Sequence, residues 1–237
     1  IKSQRWLTRE AAGVVGAITP WNFPHQINLA KLGPALAAGC TVVLKPAPDT
    51  PHVAAALGVM AAQTDLPAGA LNIVNSSDHT LGAMLGTDPQ VDLVSFTGST
   101  ATGRKVMAGA AETLKRVFLE LGGKSAVIVF ADADLAEAGK RGLSGAISVS
   151  GQGCVNGTRL LVQRPIYEQY LGVMQAIAEH IKVGDPLDPT TVMGPVISEA
   201  SLQRIEGMIQ QNEKLQEQTL STVTTTIVTE ITENTAN

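Results

Sequence analysis

The sequence predicts an α/β fold built on a parallel sheet. Short β-branched apolar runs alternate with longer segments of helical period up to about residue 211. Glycine and proline stand at the junctions, as at Gly39, Pro46, Pro51 and Gly98. Apolar residues make up 44% and charged residues 16% of the 237-residue chain, a globular composition that can bury a core. Strands alternating with helices imply parallel pairing through crossover connections.

Val14 to Ile18 reads as a buried strand, closed by an irregular loop in which Pro20 and Pro24 bracket Trp21, Asn22 and Phe23. Gln26 to Ala38 has helical period, with Pro34 as a kink and Gly39 as the stop. Thr41 to Leu44 is a β-branched strand ended by Lys45-Pro46. His52 to Gln63 is a helix with Thr50 as candidate N-cap and Pro51 in its first turn. There follow a strand at Leu71 to Val74, a short helix at His79 to Leu85, a strand at Val91 to Phe96, a helix at Thr100 to Ala111 and a strand at Arg116 to Glu120. After Gly123 a second αβ region begins: strand Ala126 to Phe130, helix Asp134 to Ser150, strand Arg159 to Val162, and helices Ile166 to Lys182 and Ser198 to Gln211. From Asn212 the pattern breaks into a tail whose Thr222 to Thr232 stretch is threonine-rich, β-prone and of low complexity.

A net charge of −4 without a Lys/Arg run argues against nucleic acid as a partner. No apolar run reaches membrane-spanning length. The four histidines have no metal-ligand spacing, so no metal site is expected. Cys40 and Cys154 form no disulfide framework, and Cys40, between a helix end and a strand, reads as an inert core thiol. Ile1 to Trp6 lacks a signal-peptide pattern, and the chain is expected to be the middle of a longer one.

Five stretches carry candidate chemistry. Phe96 to Gly103 is a strand, a glycine turn and a helix start, whose amides favour phosphate. Arg104-Lys105 follows where a P-loop needs Lys-Ser/Thr, and an ordinary βα turn is the alternative. Lys45, at a strand's carboxyl end, faces the ligand crevice of an open α/β sheet or else the surface. Asn22 is placed to donate to an oxyanion, or serves the turn. Glu120, ending an apolar strand before Gly122-Gly123, is expected to be partly desolvated and so suited to a general base; a structural ion pair is the alternative. Cys154 follows Gly151-Gln152-Gly153, where small residues let a substrate approach the sulfur, unless it is a small buried hydrophobe.

Taken together, Thr19-Pro20-Trp21-Asn22-Phe23-Pro24, Leu44-Lys45-Pro46, Phe96-Thr97-Gly98-Ser99-Thr100, Leu119-Glu120-Leu121-Gly122-Gly123-Lys124 and Gly151-Gln152-Gly153-Cys154 resemble the aldehyde dehydrogenase superfamily, in its order and near its spacing over about residues 1 to 211. The resemblance implies a Rossmann-like parallel-sheet coenzyme domain at 11–123, followed by part of an α/β catalytic domain at 124–211. It also implies part of an oligomerisation segment at 1–10, and leaves the 212–237 tail unassigned. It implies oxidation of a small-molecule aldehyde to a carboxylic acid with NAD or NADP. Cys154 would be the nucleophile, Asn22 and the Cys154 amide the oxyanion donors, and Glu120 the activator of the hydrolytic water. Lys31 matches a position that the family often keeps as lysine near the oxyanion loop. Lys45 would bind the adenosine ribose, Gly98 and Ser99 the pyrophosphate, and Trp21 the coenzyme through its backbone, with Gly82 and Gly122 in the coenzyme site.

The resemblance further implies a cytoplasmic enzyme that is a homodimer or homotetramer in its full-length parent, with neither nucleic acid nor membrane as partner. Three departures stand out. Pro48 replaces a glutamate that NAD-preferring members often carry, which leaves room for NADP; Ser76 replaces a common glycine; and the family's later Glu-x-Phe-Gly-Pro motif is absent. The alternatives are a truncated, non-catalytic nucleotide-binding fragment, which the absent motif favours, and an acylating relative that uses coenzyme A, against which Glu120 argues.

Overall fold

The computed structural model describes residues 3–215. It packs as two units: the described residues up to Ala133 together with Gly153–Ile166, and Asp134–Gln152 together with the described residues from Tyr167 onward. The Thr222 to Thr232 stretch lies outside the described residues.

In the first unit, five strands form one sheet: β1 (Val14–Ile18), β2 (Thr41–Lys45), β3 (Leu71–Ile73), β4 (Leu93–Gly98) and β5 (Arg116–Leu121). Their order is β3-β2-β1-β4-β5 and every pairing is parallel. The sequence favours this, because β1 and the Val42–Leu44 run of β2 are near-continuous apolar stretches of the kind covered on both faces. Helices α1 (Pro24–Ala37) and α2 (Pro51–Ala61) pack on β1, β2 and β3, around Val15, Ala17, Val42, Leu44, Leu32 and Ala54. Helices α3 (Thr80–Thr87) and α4 (Thr100–Ala111) pack on β1, β4 and β5, around Val94, Phe96 and Val106. The chain winds outward from β1 to β3, then returns to lay β4 against the other side of β1. That reversal opens a crevice beyond the carboxyl ends of β1 and β4.

Local chemistry sets the boundaries. Helix α1 begins at Pro24 rather than Gln26, because a proline's missing N–H costs nothing in a first turn. It runs through Pro34 and ends in a Schellman pair, with Cys40 N–H donating to Ala35 O and Gly39 N–H to Leu36 O, both at 3.0 Å. Gly39 supplies the required left-handed φ of 81°. Thr50 stands at the N-cap of α2 but forms no side-chain cap bond, contrary to expectation. Ser99 does cap α4, its Oγ accepting from Thr102 N–H at 3.2 Å.

The first unit also holds the parallel pair β6 (Ser125–Val129) and β7 (Gly157–Val162), with a register shift at Ser125/Ala126. In the second unit, α5 (Leu135–Ile147) packs on α6 (Tyr167–Ala178), and Tyr170 Oη donates to Ala138 O at 3.2 Å. Helix α5 stops at Ile147, three residues short of the expected end. Val149 and Ser150 turn left-handed at φ 52° and 54°, and the 148–151 segment is a kinked turn. Side chains rather than helix bonds hold this turn: Ser150 Oγ donates to Gly194 O and Gln152 Oε1 accepts from Ile197 N–H, each at 2.9 Å. Residues 199–215 are helical, so the helix expected to end at Gln211 continues into the start of the tail.

Leu44 is wholly buried at the centre of the sheet. Leu44→Ala is expected to cost about 3 kcal/mol of stability in urea unfolding, the usual range for a buried leucine lost from a close-packed core. A loss below about 1 kcal/mol would show that this layer packs loosely.

Candidate active site

Glycines stand at the crevice beyond β1 and β4 where side chains approach closely. At Gly98, ending β4, an added Cβ would lie 2.6 Å from the Phe96 ring, so a side chain there would displace that ring. Ser99 follows as N-cap of α4; its hydroxyl also donates to Thr102 Oγ1 at 2.9 Å. Capping satisfies Thr102 N–H and leaves the amides of Thr100 and Ala101 outside the intrahelical ladder, where an anion would meet them. Lys45, ending β2, is only 5% exposed. Its Nζ donates to Pro46 O and Ser76 O, both at 3.2 Å. Burial lowers its pKa, and the Asp78 carboxylate opposes that shift. Gly82 of α3 lies on the Lys45 stem, where an added Cβ would sit 3.3 Å from Cδ. A glycine cradle, exposed helix-start amides and a lysine at a strand's carboxyl end are the donor set that a dinucleotide's pyrophosphate and ribose require. Trp21 sits half-buried in the bend before α1. Gly122 is exposed, and an added Cβ there would meet nothing within 4 Å.

A second feature lies on the α1 face, where β4 and β5 carry no covering helix among the described residues. A cleft of about 570 Å³ runs between α1 and β5, lined by Lys31, Ser95, Thr97, Phe118 and Glu120, with Glu10 and Cys40 also on its wall. Lys31 is 7% exposed; its Nζ donates to Ser95 Oγ at 2.8 Å and stands 5.8 Å from the Phe118 ring centroid. Burial pulls the Lys31 pKa down to about 8, against the opposing attraction of Glu120. Glu120 is exposed on β5, which corrects the expectation of a desolvated acid. An edge strand presents alternate residues, and its row of Arg116, Phe118 and Glu120 is the open one. Phe118 is accordingly 61% exposed.

Cys154 and Asn22 do not line this cleft. Cys154 is a half-buried free thiol in the turn ahead of β7, within the same packing unit as the five-stranded sheet. Asn156 N–H donates to Gly153 O at 3.4 Å, making Cys154 the second residue of a four-residue turn. Such a turn's own bond does not use the Cys154 amide. Gly153 packs on the buried Asn156 side chain, whose Oδ1 would lie 2.1 Å from any added Cβ. Asn22 Oδ1 accepts from Phe23 N–H at 3.1 Å.

Ser95, Thr97 and Phe118 escaped the sequence reading. The available signal was alternation: Ser95 and Thr97 interrupt an otherwise apolar strand at spacing two, so both point to one face. The lysine above them makes a titration test possible. Between pH 8 and 10.5 the unfolded chain holds a proton that folded Lys31 has released, so stability from this group rises with pH over that window. Below pH 8 the penalty is fully present. Lys31→Met is expected to exceed the parent in stability by about 2 kcal/mol more at pH 7 than at pH 10.5, allowing for screening at the open side of the cleft. Urea titrations at the two pH values measure it, and a gap that does not change with pH would contradict the burial of this ammonium.

Residues 2–226 match the model of the aldehyde dehydrogenase family. The chain is 47% identical over 201 residues to the mitochondrial succinate-semialdehyde dehydrogenase of Oryza sativa subsp. japonica, covering 85% of this chain and 38% of that one. It is 43% identical over 201 residues to an NADP(+) succinate-semialdehyde dehydrogenase of Escherichia coli K12, covering 85% and 42%. The crystal structure of betaine aldehyde dehydrogenase from Staphylococcus aureus in complex with NAD+ superposes with a TM-score of 0.82 at 37% identity, covering 85% and 40%. The chain therefore spans about two fifths of the length of the relatives it matches. With the motifs in order, the parallel sheet and the switch-point crevice all in agreement, this chain belongs to the aldehyde dehydrogenase family.

Proposed function

We infer that the chain is the coenzyme-binding and nucleophile-bearing part of an enzyme that oxidises an aldehyde to a carboxylic acid with NAD or NADP. The observation that carries this reading is Cys154, a free thiol at the second position of a tight turn, in the same packing unit as the crevice and Glu120. In this reading, residues 11–123 form the coenzyme domain and 124–211 part of the catalytic domain.

The chemistry follows from the side chains. The Cys154 thiolate attacks the aldehyde carbon; a C–S bond forms and the carbonyl electron pair moves to oxygen. The Cys154 amide and Asn22 Nδ2 donate to that oxyanion. When bound, the coenzyme supplies the hydride acceptor at its nicotinamide ring. With the hydride gone, the carbon is left as a thioester of Cys154. Glu120 takes a proton from water, whose oxygen attacks the thioester; the C–S bond breaks, the acid departs and the thiolate is restored. Exposure suits Glu120 to meeting water, and Lys31 on the same cleft wall supplies the nearby positive charge. Lys45 would hold the ribose, Gly98, Ser99 and the start of α4 the pyrophosphate, Trp21 would bind through its backbone, and Gly82 and Gly122 would let the coenzyme approach.

Pro48 is exposed and brings no carboxylate beside a ribose 2′ position, which favours acceptance of NADP. Exposed Trp6 and Leu7 fit a segment that pairs with another subunit, as a homodimer or homotetramer requires. No described helix is long and apolar enough to cross a membrane. Some relatives carry mitochondrial or peroxisomal names, so the cytoplasmic address is one of several that the family offers.

The deciding experiment uses this chain. Iodoacetamide is expected to label Cys154 ahead of buried Cys40, and saturating NADP to slow that labelling several-fold. Aldehyde-dependent NAD(P)H formation, assayed first with succinate semialdehyde, is expected to vanish in Cys154→Ser. Labelling indifferent to coenzyme, or turnover that survives in Cys154→Ser, would overturn the reading. Pro48→Glu is expected to shift preference from NADP toward NAD about tenfold in relative Kd, by placing a carboxylate against the 2′-phosphate.

A second reading, a nucleotide-binding piece without turnover, draws on the exposure of Phe118, Ile128 and Phe130. Coenzyme protection of Cys154 without any aldehyde-dependent NAD(P)H would favour it.

A further inference from the structure

The floor of the cleft is ruled by register. Ser95 on β4 lies directly beside Phe118 on β5, and Thr97 beside Glu120, two residues further along both strands. Two residues of parallel strand advance about 7 Å. The Lys31 ammonium is bonded at the first pair, to Ser95 Oγ at 2.8 Å with the Phe118 ring at 5.8 Å. The carboxylate that completes the cleft's chemistry belongs to the second pair. A lysine stem of four methylenes is long enough to swing its charge from one pair to the other.

We propose that Ser95 is a positioning residue: by accepting the Lys31 hydrogen bond it holds the ammonium one pleat behind Glu120 and prevents a direct Lys31–Glu120 ion pair from closing over the carboxylate. This deepens the reading of Glu120 as the water-activating base and rests on it. A carboxylate locked in a contact pair with an ammonium is a poorer proton acceptor, and its oxygens are no longer open to water. Held at a distance, the same ammonium does not occupy the carboxylate's lone pairs.

Three observations support the arrangement. Ser95 is 8% exposed, on a strand whose other buried positions are mostly apolar, so its hydroxyl requires a partner and Lys31 is that partner. The Phe118 ring takes a second face of the ammonium, on the same side as Ser95. Glu120 nonetheless acts on Lys31 as an opposing charge weaker than the burial effect, as expected of a carboxylate near but not in contact. The other ionisable groups on the cleft wall are Glu10, ahead of β1, and Cys40, at the start of β2.

The test is a double-variant cycle on the ionisation of Lys31, read from its Cε–Hε resonances by NMR in the full chain across pH 6 to 11 and assigned by Lys31→Arg. The quantity is the change in the Lys31 pKa on Glu120→Gln, measured with Ser95 present and again in Ser95→Ala. Released from Ser95, the lysine is expected to pair with Glu120, so the Glu120-dependent part should grow by about one pH unit, a tenfold change in the proton equilibrium. Ser95→Thr, which keeps the hydroxyl, is expected to restore the parent value. Should Ser95→Ala fail to fold, Ser95→Cys, similar in size with a weak acceptor, is expected to give the same increase. A Glu120-dependent part that is equal or smaller without the hydroxyl, or no restoration by threonine, overturns the proposal. Neither coenzyme nor turnover enters the measurement, so its failure is distinct from failure of the enzymatic reading.

Discussion

The structure depends on β1 being paired on both sides. Val15, Gly16 and Ala17 are in register with Val42, Val43 and Leu44 on one flank and with Leu93, Val94 and Ser95 on the other. A strand in that position must be apolar on both faces, and it is the only arrangement in which the chain can run outward, return and leave a crevice at the centre. The bend at Trp21–Phe23, the turn at Gly98–Ser99 and Lys45 are all strand ends of that central trio, β1, β4 and β2. Their proximity is a consequence of pairing, not of any direct attraction between them.

Two lysines mark the two sides of this sheet's chemistry. Both are nearly buried, and burial depresses both pKa values, yet they are satisfied differently. Lys45 is bonded to two backbone carbonyls, which are fixed in place and cannot titrate. Lys31 is bonded to one hydroxyl and one ring face, a looser set on a wall that includes an ionisable carboxylate. The first arrangement fixes the ammonium in place. The second suits a charge whose state responds to its surroundings near neutral pH.

Much of the fold was legible because the residues that determine it act locally. The buried strands announce themselves as β-branched runs, and Gly98–Ser99 as a turn at a strand-to-helix junction followed by an unbroken helix. Lys45 was legible as a cation at a strand end. What escaped depends on what lies above a residue rather than beside it. Glu120 ends an apolar strand and so read as sheltered, but β5 is the sheet's edge and its outer row is open, a fact of topology that no single segment contains. Ser95 read as a neutral strand position, since its partner is 64 residues away on α1. Helix α5 read as continuing to Ser150, because the forces that end it are bonds from Ser150 and Gln152 to residues 194 and 197. Thr50 had the chemistry of a cap and the position of one, yet no cap bond forms.

The pairing of Thr97 with Glu120 has a consequence for the short turn that feeds β5. Between Ala111, where α4 ends, and Arg116, where β5 begins, the chain turns through Leu114 at φ 52°. Strand side chains alternate faces, so adding or deleting one residue in that turn would slip β5 by one position if the ladder re-formed. Glu120 would then face α4, and Leu119 or Leu121 would face Lys31. The number of residues in a surface turn, a quantity that loops usually tolerate changing, is here tied to which side of the sheet carries the acid. If Glu120 is the water-activating base proposed above, insertions in this turn are expected to be as disabling as a substitution of Glu120 itself, although none of its side chains lines the cleft.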